Sequence, residues 1–233
     1  MITIKNLKKL FGETLACNIP ELTINKGEII GLVGNNGAGK TTLFRLILDL
    51  LEADDGSVEL KGVKVNDSEE WKHFTSAFID NGFLIDFLTP EEYFTFINRV
   101  SGIKDCNIDD IAQKFEHFTG GEVFGRKILI RNLSAGNKQK IGIISSLIHS
   151  PQLVILDEPF NFLDPTSQNI LKKLLVDYNK ETGASILISS HNLMHTVDIS
   201  NKIVLMEHGR IIRYITENDE NTRNELEQYF NKD

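Results

Sequence analysis

No stretch of this sequence comes near the roughly 18 consecutive apolar residues that a bilayer-spanning helix needs. Apolar runs such as 153–156 break off far sooner, so the chain is not expected to cross a membrane by itself. The opening residues Met1-Ile2-Thr3-Ile4-Lys5 lack a basic region followed by an apolar run and a small-residue cleavage site. No secretory signal is legible there, and a cytoplasmic location is expected. Cysteine is scarce. Cys17 and Cys106 stand far apart and outside any paired metal or redox spacing, which fits a reducing compartment and reads as two packing residues. Basic charge is also short: 25 Lys and Arg against 33 Asp and Glu leave a formal net charge of −8, with no run of Lys or Arg to form a cationic stripe. Such a chain repels a phosphate backbone, so no nucleic acid is expected as a partner. Any anion it binds must be held by local geometry.

What is present is the material of an α/β domain. The 233 residues are 41% apolar and 25% charged, enough for a sizeable core. Short Val- and Ile-rich runs at 28–33, 153–156, 185–188 and 203–206 alternate with helical patterns, the signature of strands buried on both faces. Asp164-Pro165 reads as an N-cap with Pro at the first helical position, and the apolar spacing Ile170, Leu171, Leu174, Leu175 runs on to a stop at Gly183. Between about 84 and 149 the patterns are mostly helical. Thr89, Pro90 and Glu92 form a capping box ahead of Tyr93, Phe96 and Ile97, and nine of the fourteen phenylalanines lie between residues 74 and 124. The expected organisation is one domain: a core of about 1–83 and 150–216, an inserted α-helical subdomain of about 84–149, and a short polar tail at 217–233. Residues 210–214 are expected to return as a hairpin strand on 202–206.

Gly34-Asn35-Asn36-Gly37-Ala38-Gly39-Lys40-Thr41 fits a P-loop and falls between a predicted strand and a predicted helix. Glycines let successive backbone N–H groups curl toward phosphate oxygens, while the positive end of the following helix faces the same anion. Such a loop is expected to let an acidic chain hold ATP. Lys40 is expected to reach the β and γ phosphates, Thr41 to be a ligand of Mg²⁺ through its hydroxyl, and Thr42 to complete the binding set. Further on, the strand at 153–156 ends in Asp157-Glu158. A buried parallel strand with two acids at its carboxyl end delivers them to the crevice where ligands collect. Asp157 is suited to fixing hydrated Mg²⁺, and Glu158 to polarising an attacking water.

Leu133-Ser134-Ala135-Gly136-Asn137 resembles the signature motif of the ATP-binding cassette (ABC) ATPases, and the following Lys138-Gln139-Lys140 continues that likeness. Phe160-Asn161-Phe162-Leu163-Asp164 is similar to that family's D-loop, His191 to its switch histidine, and Phe11 to the aromatic that stacks on adenine. The likeness covers essentially the whole chain in the family's order. It implies a P-loop fold of ABC type, with a mixed central sheet flanked by helices and an inserted helical subdomain. It also implies two subunits packed head to tail, as a homodimer or with a related cassette. Ser134 and Gly136 of one would then close over the nucleotide held by the other, with Asp164 counted among the nucleotide-site residues. His191 is implied to keep Glu158 and the water aligned, and Lys40 to act with them in hydrolysis. A separate transmembrane permease is the implied partner, which would hold the chain at the inner face of the membrane. The aromatic-rich helical insertion near 83–96 is the expected docking place, its rings serving either as buried anchors for the permease or as the insertion's own core.

Two departures stand out. Asp80 falls where the family usually has a glutamine, and Ala135 and Asn137 replace the usual glycine and glutamine of the signature. An acid at Asp80 would bind Mg²⁺ more strongly while repelling the γ phosphate. Such replacements resemble the bacitracin and lantibiotic branch of exporters. The alternatives are a soluble cassette acting on ribosomes or DNA, and a nucleotide-binding regulator of low turnover.

Overall fold

The structure is a computed structural model that describes residues 1–79, 83–102 and 107–216. Cys106 and the tail from 217 lie outside that range. Two sheets organise it. The smaller is antiparallel: β1 (Ile2–Phe11) and β2 (Thr14–Ile24) form a long hairpin, and β4 (Asp55–Leu60) and β5 (Val63–Lys64) extend it in the order β2-β1-β4-β5. Gly12 makes the hairpin turn at φ +60°, a conformation that costs glycine little. The alternation along these strands puts Ile2, Ile4, Leu7, Cys17, Ile19 and Ile24 on the buried side. Burial pushes the Cys17 thiol up to about 12, so it behaves as a packing group.

The larger sheet runs β10-β9-β3-β8-β7-β6. Its members are β3 (Ile29–Val33), β6 (Thr75–Phe78), β7 (Leu153–Leu156), β8 (Ser185–Ser190), β9 (Lys202–Glu207) and β10 (Arg210–Ile215). All neighbours are parallel except β10, which returns antiparallel on β9. Every residue of β3, β7 and β8 is buried, as strands covered on both faces require.

The period-two alternation of β7 sorts its side chains between two cores. Leu153 and Ile155 face the first, together with Leu43, Phe44 and Ile47 of helix α1 (Lys40–Ile47) and the buried residues of the antiparallel sheet. Val154 and Leu156 face the second. That core takes in Leu171 and Leu175 of α6 (Pro165–Thr182) and the helices between β6 and β7. These are α2 (Pro90–Val100), α3 (Ile108–Lys114), α4 (Glu116–Thr119) and α5 (Ala135–Leu147). Phe94, Phe115, Phe118, Ile141, Ile144 and Leu147 from this segment share that core with Ile186 and Ile188 of β8. Gly142 of α5 lies so close to β6 that a Cβ there would stand 2.1 Å from the Phe78 ring.

Local signals explain the helix ends. Thr89 and Glu92 exchange the two bonds of a capping box, with Glu92 N–H to Thr89 Oγ1 at 3.3 Å and Thr89 N–H to Glu92 Oε2 at 2.8 Å. Asp164 caps α6 by accepting the Ser167 N–H at 3.0 Å, and Gly183 ends that helix at φ +65°. Phe83, Phe87 and Phe96 are 58%, 71% and 43% exposed. Among the described residues no helix is long and apolar enough to cross a bilayer.

Candidate functional site

The strand order sets the site. β3, β8 and β7 are adjacent and parallel, so the segments that follow them emerge along one edge of the sheet. After β3 comes the loop 34–39, after β7 Asp157 and Glu158, and after β8 His191.

The loop takes its form from two glycines. At Gly34 a Cβ would stand 2.3 Å from the Met206 carbonyl oxygen, and Gly39 caps α1 at φ +101°. Gly39 supplies no side-chain acceptor, which leaves the first amides of α1 available to an anion in the loop. Lys40 folds back over it: its buried ammonium donates to Gly34 O at 2.6 Å and to Asn35 O at 3.3 Å, and lies 3.4 Å from Glu158 Oε1. A cavity of about 300 Å³ opens above the loop, lined by Phe11, Asn36, Gly37, Ala38, Gly39, Lys40, Thr41, Thr42 and Glu158 among others. Phe11 is 54% exposed there, a flat ring at the rim.

Asp157 is buried beneath this cavity. Its Oδ2 accepts from Thr41 Oγ1 at 2.5 Å and its Oδ1 from Ser189 Oγ. Burial raises its pKa, against the two hydroxyl donors and the Lys40 charge that favour the carboxylate, while the like charge of Glu158 adds to the rise. Glu158 lies at φ +48°, and its N–H donates to Ser189 Oγ at 2.8 Å. Its second carboxylate oxygen is 2.8 Å from His191 Nδ1, which donates when that nitrogen carries the proton. Lys40, Thr41, Asp157, Glu158 and His191, separated by up to 151 positions in sequence, are thus joined by direct contacts.

Ser134, Gly136 and Asp164 do not line the cavity. Ser134 is exposed and caps α5 by accepting the Asn137 N–H at 3.2 Å. Gly136 approaches the Phe162 carbonyl so closely that a Cβ would stand 2.8 Å from it. Asp164 spends both carboxylate oxygens on Ser167 at the start of α6. Asp80 lies outside the described residues. Among the described residues no three His, Cys, Asp or Glu side chains form a metal cluster. The Thr41 hydroxyl and Asp157 carboxylate nevertheless form an adjacent pair of hard oxygens, 2.5 Å apart. That fits Mg²⁺, which commonly keeps several waters and takes one or two carboxylates plus substrate phosphates.

The sequence reading missed Ser189, which sits fully buried between Asp157 and Glu158. Two consecutive serines closing a fully buried core strand were the available signal. It named Gln139 only as part of the signature likeness and assigned it no role, whereas its Nε2 donates to Glu158 O at 3.2 Å.

A glycine loop joining a central strand to a helix, with an acid pair at the end of a neighbouring strand, defines a P-loop nucleotide-binding protein. Residues 17–161 match the ABC transporter family. The chain belongs to that family and is an ABC ATPase, the ATP-binding subunit type of its transporters. Among its relatives, the bacitracin transport ATP-binding protein BcrA of Enterococcus faecalis is 32% identical over 226 residues, covering 96% of this chain and 72% of that one. The lantibiotic transport ATP-binding protein SrtF of Streptococcus pyogenes is 31% identical, covering 99% of this chain and 96% of that one. The dimeric post-hydrolysis structure of the cassette MJ0796 bound to ADP and Pi shares the fold, with a TM-score of 0.81 at 22% identity and coverage of 93% and 98%.

Proposed function

We propose that this chain powers an exporter: two copies, or one copy with a related cassette, close around two ATP molecules and drive a separate membrane permease. The observation that carries the reading is the separation within one chain of two anion-binding features. The P-loop and its cavity lie on the sheet edge, whereas Ser134 and Gly136 open the 13-residue α5 at an exposed position outside that cavity. A helix start with free amides and a capping hydroxyl suits a phosphate. A second copy brings one. Relatives named for bacitracin and lantibiotic transport support the transport role; export is the direction we propose from the acidic residue at Asp80. The permease would dock on the exposed Phe83 and Phe87 and keep the chain at the inner face of the membrane.

Within each site, the loop of Gly34, Asn35, Asn36, Gly37, Ala38 and Gly39 cradles the phosphates, and Lys40 reaches the β and γ groups. Thr42 adds a hydroxyl beside them, Phe11 stacks on adenine, and Asp164 sets the loop beside the partner's nucleotide. Thr41 and Asp157 would hold Mg²⁺, which supplies charge neutralisation to the phosphates when bound. Asp80 is proposed as a further contact to it. Glu158 orients the attacking water and accepts its proton, while His191 holds the carboxylate in that aim. The substitution Glu158→Gln removes the basic oxygen and preserves shape.

Turnover of that variant is expected to fall by about 10²- to 10⁴-fold with ATP affinity retained. In light scattering the same variant is expected to dimerise on ATP. Normal phosphate release would remove Glu158 from its role. A monomer at high concentration, with ATP and the permease present, would defeat the two-copy sandwich.

A further inference from the structure

Glu158 is held in an uncommon backbone conformation, and the holding groups come from two different elements. Its φ of +48° lies in the left-handed region, which a non-glycine residue occupies only when its surroundings impose it. On one side, its N–H donates to Ser189 Oγ of β8 at 2.8 Å. On the other, its carbonyl accepts the Asn161 N–H at 3.1 Å and the Gln139 side-chain amide at 3.2 Å. Gln139 is 4% exposed, five residues beyond Ser134 on α5. Burying a long amide costs free energy unless it is bonded. Here the bond leaves α5 and ends on the backbone of the residue whose carboxylate faces the phosphate loop.

We propose that Gln139 is a positioning residue for Glu158. Its amide holds the left-handed turn that aims the carboxylate at the cavity, and ties that aim to the orientation of α5. The inference rests on the proposed role of Glu158 and goes beyond it. In the two-copy arrangement the start of α5 meets the partner's nucleotide, so a shift of α5 reaches the Glu158 of its own chain through one hydrogen bond.

The test uses the full chain carrying Gln139→Met, which keeps the length and volume of the side chain without its donor. Its kcat is expected to drop about tenfold, part of the loss that an ångström of misplacement brings, with KM unchanged and one ATP bound per chain. Gln139→Asn, whose amide falls one methylene short, should lose turnover similarly. In the Glu158→Gln background, Gln139→Met should cause no further loss of the residual turnover, because there is no carboxylate left to aim. Wild-type kcat in Gln139→Met would overturn the proposal. So would an equal fractional loss in both backgrounds, or binding below one ATP per chain, since either marks a general packing role. If Glu158→Gln itself turned over normally, the reading of Glu158 would be the one to fall.

Discussion

Replacing Ser189 by Ala tests whether the acid pair depends on one buried hydroxyl. Ser189 is fully buried, donates to Asp157 Oδ1 and accepts the Glu158 N–H at 2.8 Å. Its removal leaves that N–H without its acceptor. Asp157 keeps only Thr41 as a hydroxyl donor. A buried polar group deprived of its partner costs about 1–3 kcal/mol, and the two losses share one site, so a total of roughly 2–4 kcal/mol is expected. For a chain of this size each kcal/mol lowers Tm by about 2–4 °C, which gives a drop of roughly 4–16 °C. Thermal unfolding followed by circular dichroism, without nucleotide, reads it directly. Steady-state ATPase should also fall, because the Glu158 N–H loses its acceptor, leaving the backbone held only through its carbonyl by Asn161 and Gln139. A Tm within about 1 °C of wild type, together with full turnover, would show that this hydroxyl neither supports the acids nor sets their geometry.

Gly142→Ala forces a methyl to within 2.1 Å of the Phe78 ring, so α5 must move off β6. A loss of about 1–3 kcal/mol in urea denaturation is expected, partly restored by Phe78→Leu, and unchanged stability would refute the tight contact. Burial tends to raise the pKa of Glu28, but the Lys202 ammonium at 2.5 Å and the Asn25 donors outweigh it and leave the value below 4.5. A depressed carboxylate stabilises the fold fully above its unfolded pKa, and that contribution is lost as pH falls through the lower folded value. Glu28→Gln should therefore cost up to about 1 kcal/mol at neutral pH and progressively less below pH about 4, as read from Tm against pH. A gap that does not narrow at low pH would contradict that linkage. Phe83→Ala with Phe87→Ala should change stability by no more than about 0.5 kcal/mol, yet weaken co-purification with the permease. Undiminished association would end the docking proposal.

Much of the site was legible because its signals are local. The phosphate loop is contiguous, the acids sit together at the end of an apolar run, and the caps at Thr89 and Asp164 involve residues three positions apart. The β1–β2 hairpin was not foreseen. Its alternation is interrupted by Asn6, Lys8 and Lys9, and it forms because β4 adds to its other side. Ser189 and Gln139 were silent for a related reason. A serine in a core strand acquires meaning only once β8 is known to lie beside β7, and a glutamine in α5 only once that helix is packed against the turn after β7. Neither adjacency is written in spacing. The strain at Glu158 is equally invisible from sequence, since nothing in Asp157-Glu158-Pro159 requires a positive φ.

The helices between β6 and β7 own no private interior. They complete the hydrophobic cover of one sheet face, sharing it with Val154, Leu156, Ile186 and Ile188. A chimera that exchanged this segment for a relative's would have to import the matching sheet residues as well. Changes in that segment are also mechanically connected to the strand ends that carry the acids. Divergence in this segment is thereby restrained by the demands of the acids' geometry, and the two can drift apart only through paired substitutions.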